Sequence, residues 1–378
     1  MPGNNYQEHL DRFKAAIEFE PVDRVPFIAS GSAVNAQLMG VKIADYINDM
    51  ELCCTTNLEG IRKYAGDTVD GTQCVIFKPN LLSLSWLGKV KIPGEDIGDN
   101  ELWQMFEQET LTQDDYDLIL EEGYRPWLDK VLKERLDDPI GKSMDFMTYM
   151  PTAVERFNEA GIPVVNGGSG SSPVEMFCGG RTLVNFFADD LYEIPDKVDR
   201  VFRIVQDEKL ADLEATFKNP EQKPIGIWIG AWRGTPDLLN PEMFERYSWK
   251  YMKEIFDLCM SYDVIPIFHL DSNWDNGIKY FKELPARKGI IALDGMTDIF
   301  EARKVIGDHM AIMGDVPAAM QSFSKPEEVD AYCKRLITEV GPQGYIMCSG
   351  CDSPFNAKLE NLQAMVQSVE KYTPAKIA

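Results

Sequence analysis

Basic residues and histidine are the scarce groups in this chain of 378 residues. Only 38 Lys and Arg stand against 61 Asp and Glu, with 3 His, which leaves a formal net charge of −23. A surface this negative repels phosphate backbones and anionic lipid, so nucleic acid and membranes are excluded as expected partners. No stretch approaches the roughly 20 apolar residues of a membrane span. The leading MPGNNYQEHLDRFKAA has no apolar signal core. Low-complexity tracts are missing, and no GxGxxG follows the first predicted strand, which removes the fingerprint of a doubly wound dinucleotide fold. With no secretion signal, the 8 cysteines read as reduced thiols of a cytoplasmic protein rather than as a disulfide framework.

What is present supports a substantial core, with 44% hydrophobic residues. Residues 7–19 have the spacing of an amphipathic lead-in helix. Val25–Ala29 then reads as a first apolar strand, residues 42–65 as helix ending at Gly66, and Asp67–Asp70 as a second strand. The rhythm breaks over 71–160, where a β-rich piece and a long acidic helical region predict an insertion beside the mouth of the fold. It returns with Gly161–Asn166, Ile225–Gly230, Val264–Phe268, Ile290–Asp294, Met310–Gly314 and Gly344–Cys348. Apolar strands alternating with helices imply a parallel sheet covered on both faces. Eight of them predict a closed (β/α)8 barrel as one domain over 1–378.

Polar residues gather where these strands end: Asn166, Arg233, His269, Asp271, Asp294, Asp315 and Cys351. In a barrel of this kind that end is the catalytic face. His269-Leu270-Asp271 places two donor types two residues apart, on one side of an extended chain. With Cys351, which follows a Ser-Gly turn, they offer N, O and S ligands of the kind a catalytic zinc takes. Each alone has a plainer reading: a buried hydrogen bond for His269, a helix cap for Asp271, a packed thiol for Cys351. Asp294 is a candidate fourth ligand or an acceptor for the ligand histidine, whereas Asp315 reads as a cap. Asn166, Phe177, Trp228, Trp232 and Trp274 are candidate substrate-binding residues, though each aromatic taken singly also fits ordinary packing. Cys53, Cys54, Cys74, Cys178, Cys259 and Cys333 read as small buried residues.

DRVPF near the start, FHLDSNWD, ALDG, MGDVP and SGCDSPFNAKLENLQAMV together resemble the uroporphyrinogen decarboxylase superfamily, specifically its methyltransferase branch, over almost the whole chain. The last motif is the most specific: a strand, a Gly-Cys turn, a Pro, then a helix. Members of that branch hold zinc through a His-x-Cys pair and a later cysteine. The resemblance carries the pattern onto His269 and Cys351, while Asp271 stands where the pattern has cysteine. An oxygen donor makes the metal harder, which favours ether cleavage over thiol methylation. The decarboxylase proper meets its polycarboxylate substrate with an arginine-bearing loop after the first strand. Here that loop reads ASGSAVNAQLMG, with no cation.

The resemblance therefore implies a zinc-dependent methyltransferase component of an O-demethylase. Its methyl donor would be a small methoxylated, aromatic compound. The acceptor would be cob(I)alamin on a separate corrinoid protein, since this chain has no D-x-H-x-x-G cobalamin signature. Two rivals stay open: a methylcobamide:thiol methyltransferase of the coenzyme M type, and a non-catalytic barrel that carries a tetrapyrrole or corrinoid. Self-association into a homodimer is also left open.

Overall fold

The computed structural model describes residues 2–377. Its centre is a set of parallel strands: β1 (Ile28–Ala29), β2 (Gly71–Thr72), β3 (Ser169–Ser171), β4 (Gly226–Ala231), β5 (Ile265–Leu270), β6 (Ile290–Leu293), β7 (Ala311–Val316) and β8 (Tyr345–Ser349). β3 to β8 pair in chain order as one sheet, and β1 pairs with β2. Single parallel bridges, Phe27 with Met347 and Thr72 with Val164, join the two sets on both sides. These bridges set the eight strands in ring order, and the fold is the (β/α)8 barrel expected from the alternation of strands and helices, with its insertion after β2.

Alternation along the strands divides the core in two, because successive side chains point to opposite faces. Ile28, Ile267, Ile290, Ala292, Ala311, Met313, Ile346 and Cys348 form the inner cluster. Their neighbours Ile229, Phe268, Leu270, Ile291, Leu293, Ile312 and Met347 face outward into the larger cluster shared with the helices. The lead-in helix α1 (Tyr6–Ile17) contributes Phe13, Ala16 and Ile17 to the inner cluster. It closes the N-terminal end of the barrel.

β1 and β2 are shorter than their apolar runs suggest. Pro26 has no N–H to give a ladder, and the Phe27 N–H goes instead to the Asp70 carboxylate at 2.8 Å. Asp70 also accepts from Arg12 at 2.6 Å and from Arg24 at 2.5 Å. This buried triad, built from the DRVP motif and α1, fastens the plug helix to the first two strands. Pairing in β2 accordingly falls at Gly71–Thr72 rather than at 67–70. In β3 it runs on to Ser169–Ser171, beyond the expected end at Asn166.

The insertion carries a two-stranded hairpin, Val90–Lys91 with Gln104–Met105, and helices Asp114–Glu122, Tyr124–Glu134 and Met144–Glu159. CVIFKP forms no strand; it leads into a short 3-10 turn at Pro79–Leu81. The insertion reaches the catalytic end through Trp86, whose ring lies 5.0 Å from that of Trp232. No helix among the described residues is long and apolar enough to cross a membrane, and the 8 cysteines are free thiols.

Replacing Asp70 by Ala leaves two buried guanidinium groups short of their shared counter-charge. The change is expected to lower the unfolding free energy by roughly 3 kcal/mol, read by urea denaturation. A loss of less than about 1 kcal/mol would mean that the triad does not fasten the plug.

Candidate metal centre

β5 supplies the first donor. Ile265 and Ile267 point inward, so His269 does too, and it is only 6% exposed. Asp271 continues the same face just past the strand. Its N–H is held by Ala231 O at 3.0 Å, and its carbonyl accepts from the Trp274 indole at 2.9 Å. Cys351 arrives from the turn after β8. That turn is seated by Gly350, whose N–H reaches Val316 O at 3.1 Å, and by the Ser30 hydroxyl, which donates to Cys351 O at 3.2 Å. A Cβ at position 350 would lie 2.5 Å from Asp294 O, so only glycine fits.

The three donors meet. His269 Nε2 is 3.3 Å from Asp271 Oδ1 and 3.7 Å from Cys351 Sγ, and all three ligand atoms lie within 4.8 Å of one another. Zinc with bonds of about 2.0–2.3 Å needs tetrahedral donor pairs roughly 3.3–3.8 Å apart. The two measured separations fall in that range, and the N, O, S set suits the ion. Burial by itself would lower the His269 pKa, but hydrogen bonds and charge from Asp271 and Cys351 outweigh it and raise the value to about 10. A metal that binds Nε2 must displace any proton held there.

The remaining expected site residues divide. Trp228 is at the centre: its indole stacks on the His269 ring with centroids 4.1 Å apart and planes 11° from parallel. Trp232 is half-buried at the end of β4 and folds back over Gly230, where a Cβ would lie 2.2 Å from its ring. Asp294 does not join the cluster. Its carboxylate accepts from the N–H groups of Ser272 at 3.0 Å and Met296 at 2.8 Å, which ties down the loop carrying Asp271. Loss of solvent raises its pKa despite those two amides. Trp274 is fully buried against Phe244 and Phe281 and braces Asp271 from behind.

Phe177 is also away from the site, stacked among Tyr116, Trp127 and Phe202 in the helical layer. Asn166 lies toward the opposite end of the barrel, because β3 extends five residues further than the apolar run; its side chain accepts from Trp228 N–H at 3.2 Å. Asp315 accepts from Tyr332 at 2.7 Å, and burial pushes it up to about 6.

Several residues that serve the site went unnoticed in the sequence. Gln73, just after β2, accepts from Trp228 Nε1 at 2.6 Å and donates to Cys348 Sγ at 3.3 Å. Its signal was its position at a strand end, hidden because that strand was placed at 67–70. Asp352 faces the cluster from beside Cys351 and keeps contact with solvent through the mouth. Glu175 is completely buried and accepts from Arg233 N–H at 2.8 Å and Gly234 N–H at 3.0 Å. It thereby fixes the loop that bears Trp232. Nothing in the sequence separates it from an ordinary acid in a helix's first turn.

The uroporphyrinogen decarboxylase (URO-D) family model matches residues 126–372, and the chain belongs to that family. Its relatives include the uroporphyrinogen decarboxylase of Dechloromonas aromatica, 25% identical over 275 residues, or 68% of this chain and 74% of that protein. They also include the methylcobamide:CoM methyltransferase MtbA of Methanosarcina mazei, 29% identical over 140 residues, or 36% of this chain and 39% of that one. A solved structure described as a methyltransferase from Methanosarcina mazei shares the fold at a TM-score of 0.68 and 16% identity, covering 96% of this chain and 98% of its own.

Burial raises the Glu175 pKa to about 7 from 4.5 even though three backbone amides oppose the shift. An acid with a raised folded pKa stabilises the fold below its unfolded value and loses that contribution as pH rises through the folded one. Wild type is therefore expected to lose stability relative to Glu175→Gln between about pH 4.5 and 7, followed by denaturant unfolding across that range. Parallel curves for the two proteins would show that the carboxyl does not titrate there.

Proposed function

We infer that the protein is a zinc-dependent methyltransferase component of a corrinoid-linked O-demethylase. It passes the methyl group of a methoxylated aromatic compound to cob(I)alamin on a partner corrinoid protein in the cytoplasm. The observation that carries the reading is the His269, Asp271, Cys351 cluster at the catalytic end of the barrel, where both separations from His269 Nε2 suit zinc. Zinc held there would supply Lewis acidity toward an ether oxygen, worth several kcal/mol at a developing phenolate.

The protein's own groups do the rest. His269 in its neutral form would hold the ion through Nε2. Asp271 adds a hard oxygen donor where a second sulfur would soften the site. Trp228 and Trp232 offer flat apolar surface for an aromatic ring, and α1 keeps water from below. The mouth bears Asp271, Asp294 and Asp352, and the loop after β1 has no cation. Both features disfavour the polycarboxylate that a decarboxylase of this family must hold. The match to a methylcobamide:CoM methyltransferase supports a second reading, methyl transfer to a thiol; the oxygen donor at Asp271 weighs against it.

The purified protein is expected to hold about one zinc, lost in His269→Ala and in Cys351→Ser. Since the ligand set must shed at least one proton, with the His269 pKa raised, zinc affinity should rise with pH. Metal analysis and chelator competition at several pH values read both. Methyl transfer is followed as conversion of cob(I)alamin to methylcobalamin with methoxyarenes, apo and zinc-restored protein side by side. Equal rates in the two would remove zinc from the mechanism, and methylation of added thiols alone would select the second reading.

A further inference from the structure

Ligand histidines are ordinarily held by a hydrogen bond to the ring nitrogen that does not face the metal. Here Nε2 of His269 faces Asp271 and Cys351, and among the described residues no hydrogen bond reaches Nδ1. The ring is instead covered on one face. Trp228 lies on it at 4.1 Å and 11°, close enough that the imidazole cannot turn about its Cβ–Cγ bond without striking the indole.

Trp228 is itself held at backbone and side chain. Its backbone sits in the ladder between β3 and β5, opposite Ser169 and Ile267. Its backbone N–H donates to Gly168 O at 3.0 Å and to Asn166 Oδ1 at 3.2 Å. Its Nε1 donates to Gln73 Oε1 at 2.6 Å, while the Gln73 amide nitrogen donates to Cys348 Sγ at 3.3 Å. The two bonds define which way the glutamine amide faces. A transverse brace thus runs from β8 and the end of β2, through the inside of the barrel, to β4 and β5.

We propose that Gln73 and Trp228 are positioning residues that set the plane of the His269 imidazole, so that Nε2 points at the place shared with Asp271 and Cys351. The inference rests on the metal reading given above. It assigns to the stacked indole the part that a hydrogen-bonded carboxylate or carbonyl plays elsewhere, and it makes Trp228 more than a wall for substrate. Gln73 acts at one remove, by preventing the indole from sliding along the strand.

The test is metal binding, without any substrate. Zinc affinity is measured by competition with a chromophoric chelator, and cobalt substituted at the site reports ligand geometry through its visible absorption. Trp228→Leu removes the flat face and is expected to weaken zinc binding about tenfold or more and to alter the cobalt bands. Trp228→Phe keeps a ring but loses the anchor to Gln73, and should fall between wild type and Trp228→Leu. Gln73→Leu leaves the indole in place unanchored and should resemble Trp228→Phe. Circular dichroism of the metal-free proteins separates these effects from misfolding; if Trp228→Leu fails to fold, the other two variants decide.

Wild-type affinity and an unchanged cobalt spectrum in the folded variants, with only the KM for a methoxyarene altered, would overturn the inference and return Trp228 to the substrate wall. A wild-type protein that takes up neither zinc nor cobalt would overturn the metal reading itself, and this inference with it.

Discussion

Period-two alternation along β5 is the constraint on which the site depends. Ile265 and Ile267 must point inward to fill the barrel, and that parity alone sends His269 and Asp271 to the same interior. A slip of one residue would turn the imidazole out into the helical layer, where Phe268 and Leu270 now pack. The ladder from β4 through β6 holds that register on both sides of β5. The reactive end therefore inherits its geometry from apolar packing, and the donors need little machinery of their own.

Support for the donors comes from around the ring rather than from one neighbour. Asp294, just past β6, ties the loop behind Asp271, Trp274 braces its carbonyl, and the β8 turn is seated on Ser30, Asp294 and Val316, at or just past the ends of β1, β6 and β7. A buried acid outside the barrel, Glu175, holds the loop that delivers Trp232. Such a site is preorganised because each loop is tied to a strand other than its own.

The barrel and its central cluster were legible in the sequence because both are written in local pattern. Apolar runs ending in polar residues mark strands entering a catalytic face, and HLD followed much later by SGCDS supplied the donors together with the family resemblance. Strand length was less legible. Pro26 cut β1 short and Asp70 turned from strand residue to ion-pair anchor, so pairing in β2 moved onward and hid Gln73. β3 ran past its apolar stretch through Gly168 to Ser171, which left Asn166 far from the rim. The aromatics divided for a different reason. Spacing cannot tell a tryptophan inside the barrel, such as Trp228, from a phenylalanine in the helix layer, such as Phe177, because both are buried and only the chain's long-range path separates them.

The plug helix α1 gives the barrel the topology of a cul-de-sac. With Phe13, Ala16 and Ile17 sealing its floor, a small molecule that comes to the His269, Asp271, Cys351 cluster enters at the C-terminal mouth and leaves the same way. On the function proposed above, a macromolecular acceptor for its methyl group would approach through that mouth as well. Such traffic would be ordered by size, with the small guest seated before the large one covers the doorway and its remnant released after the large one withdraws. The geometry of the floor thus sets a rule of sequence for events at the top.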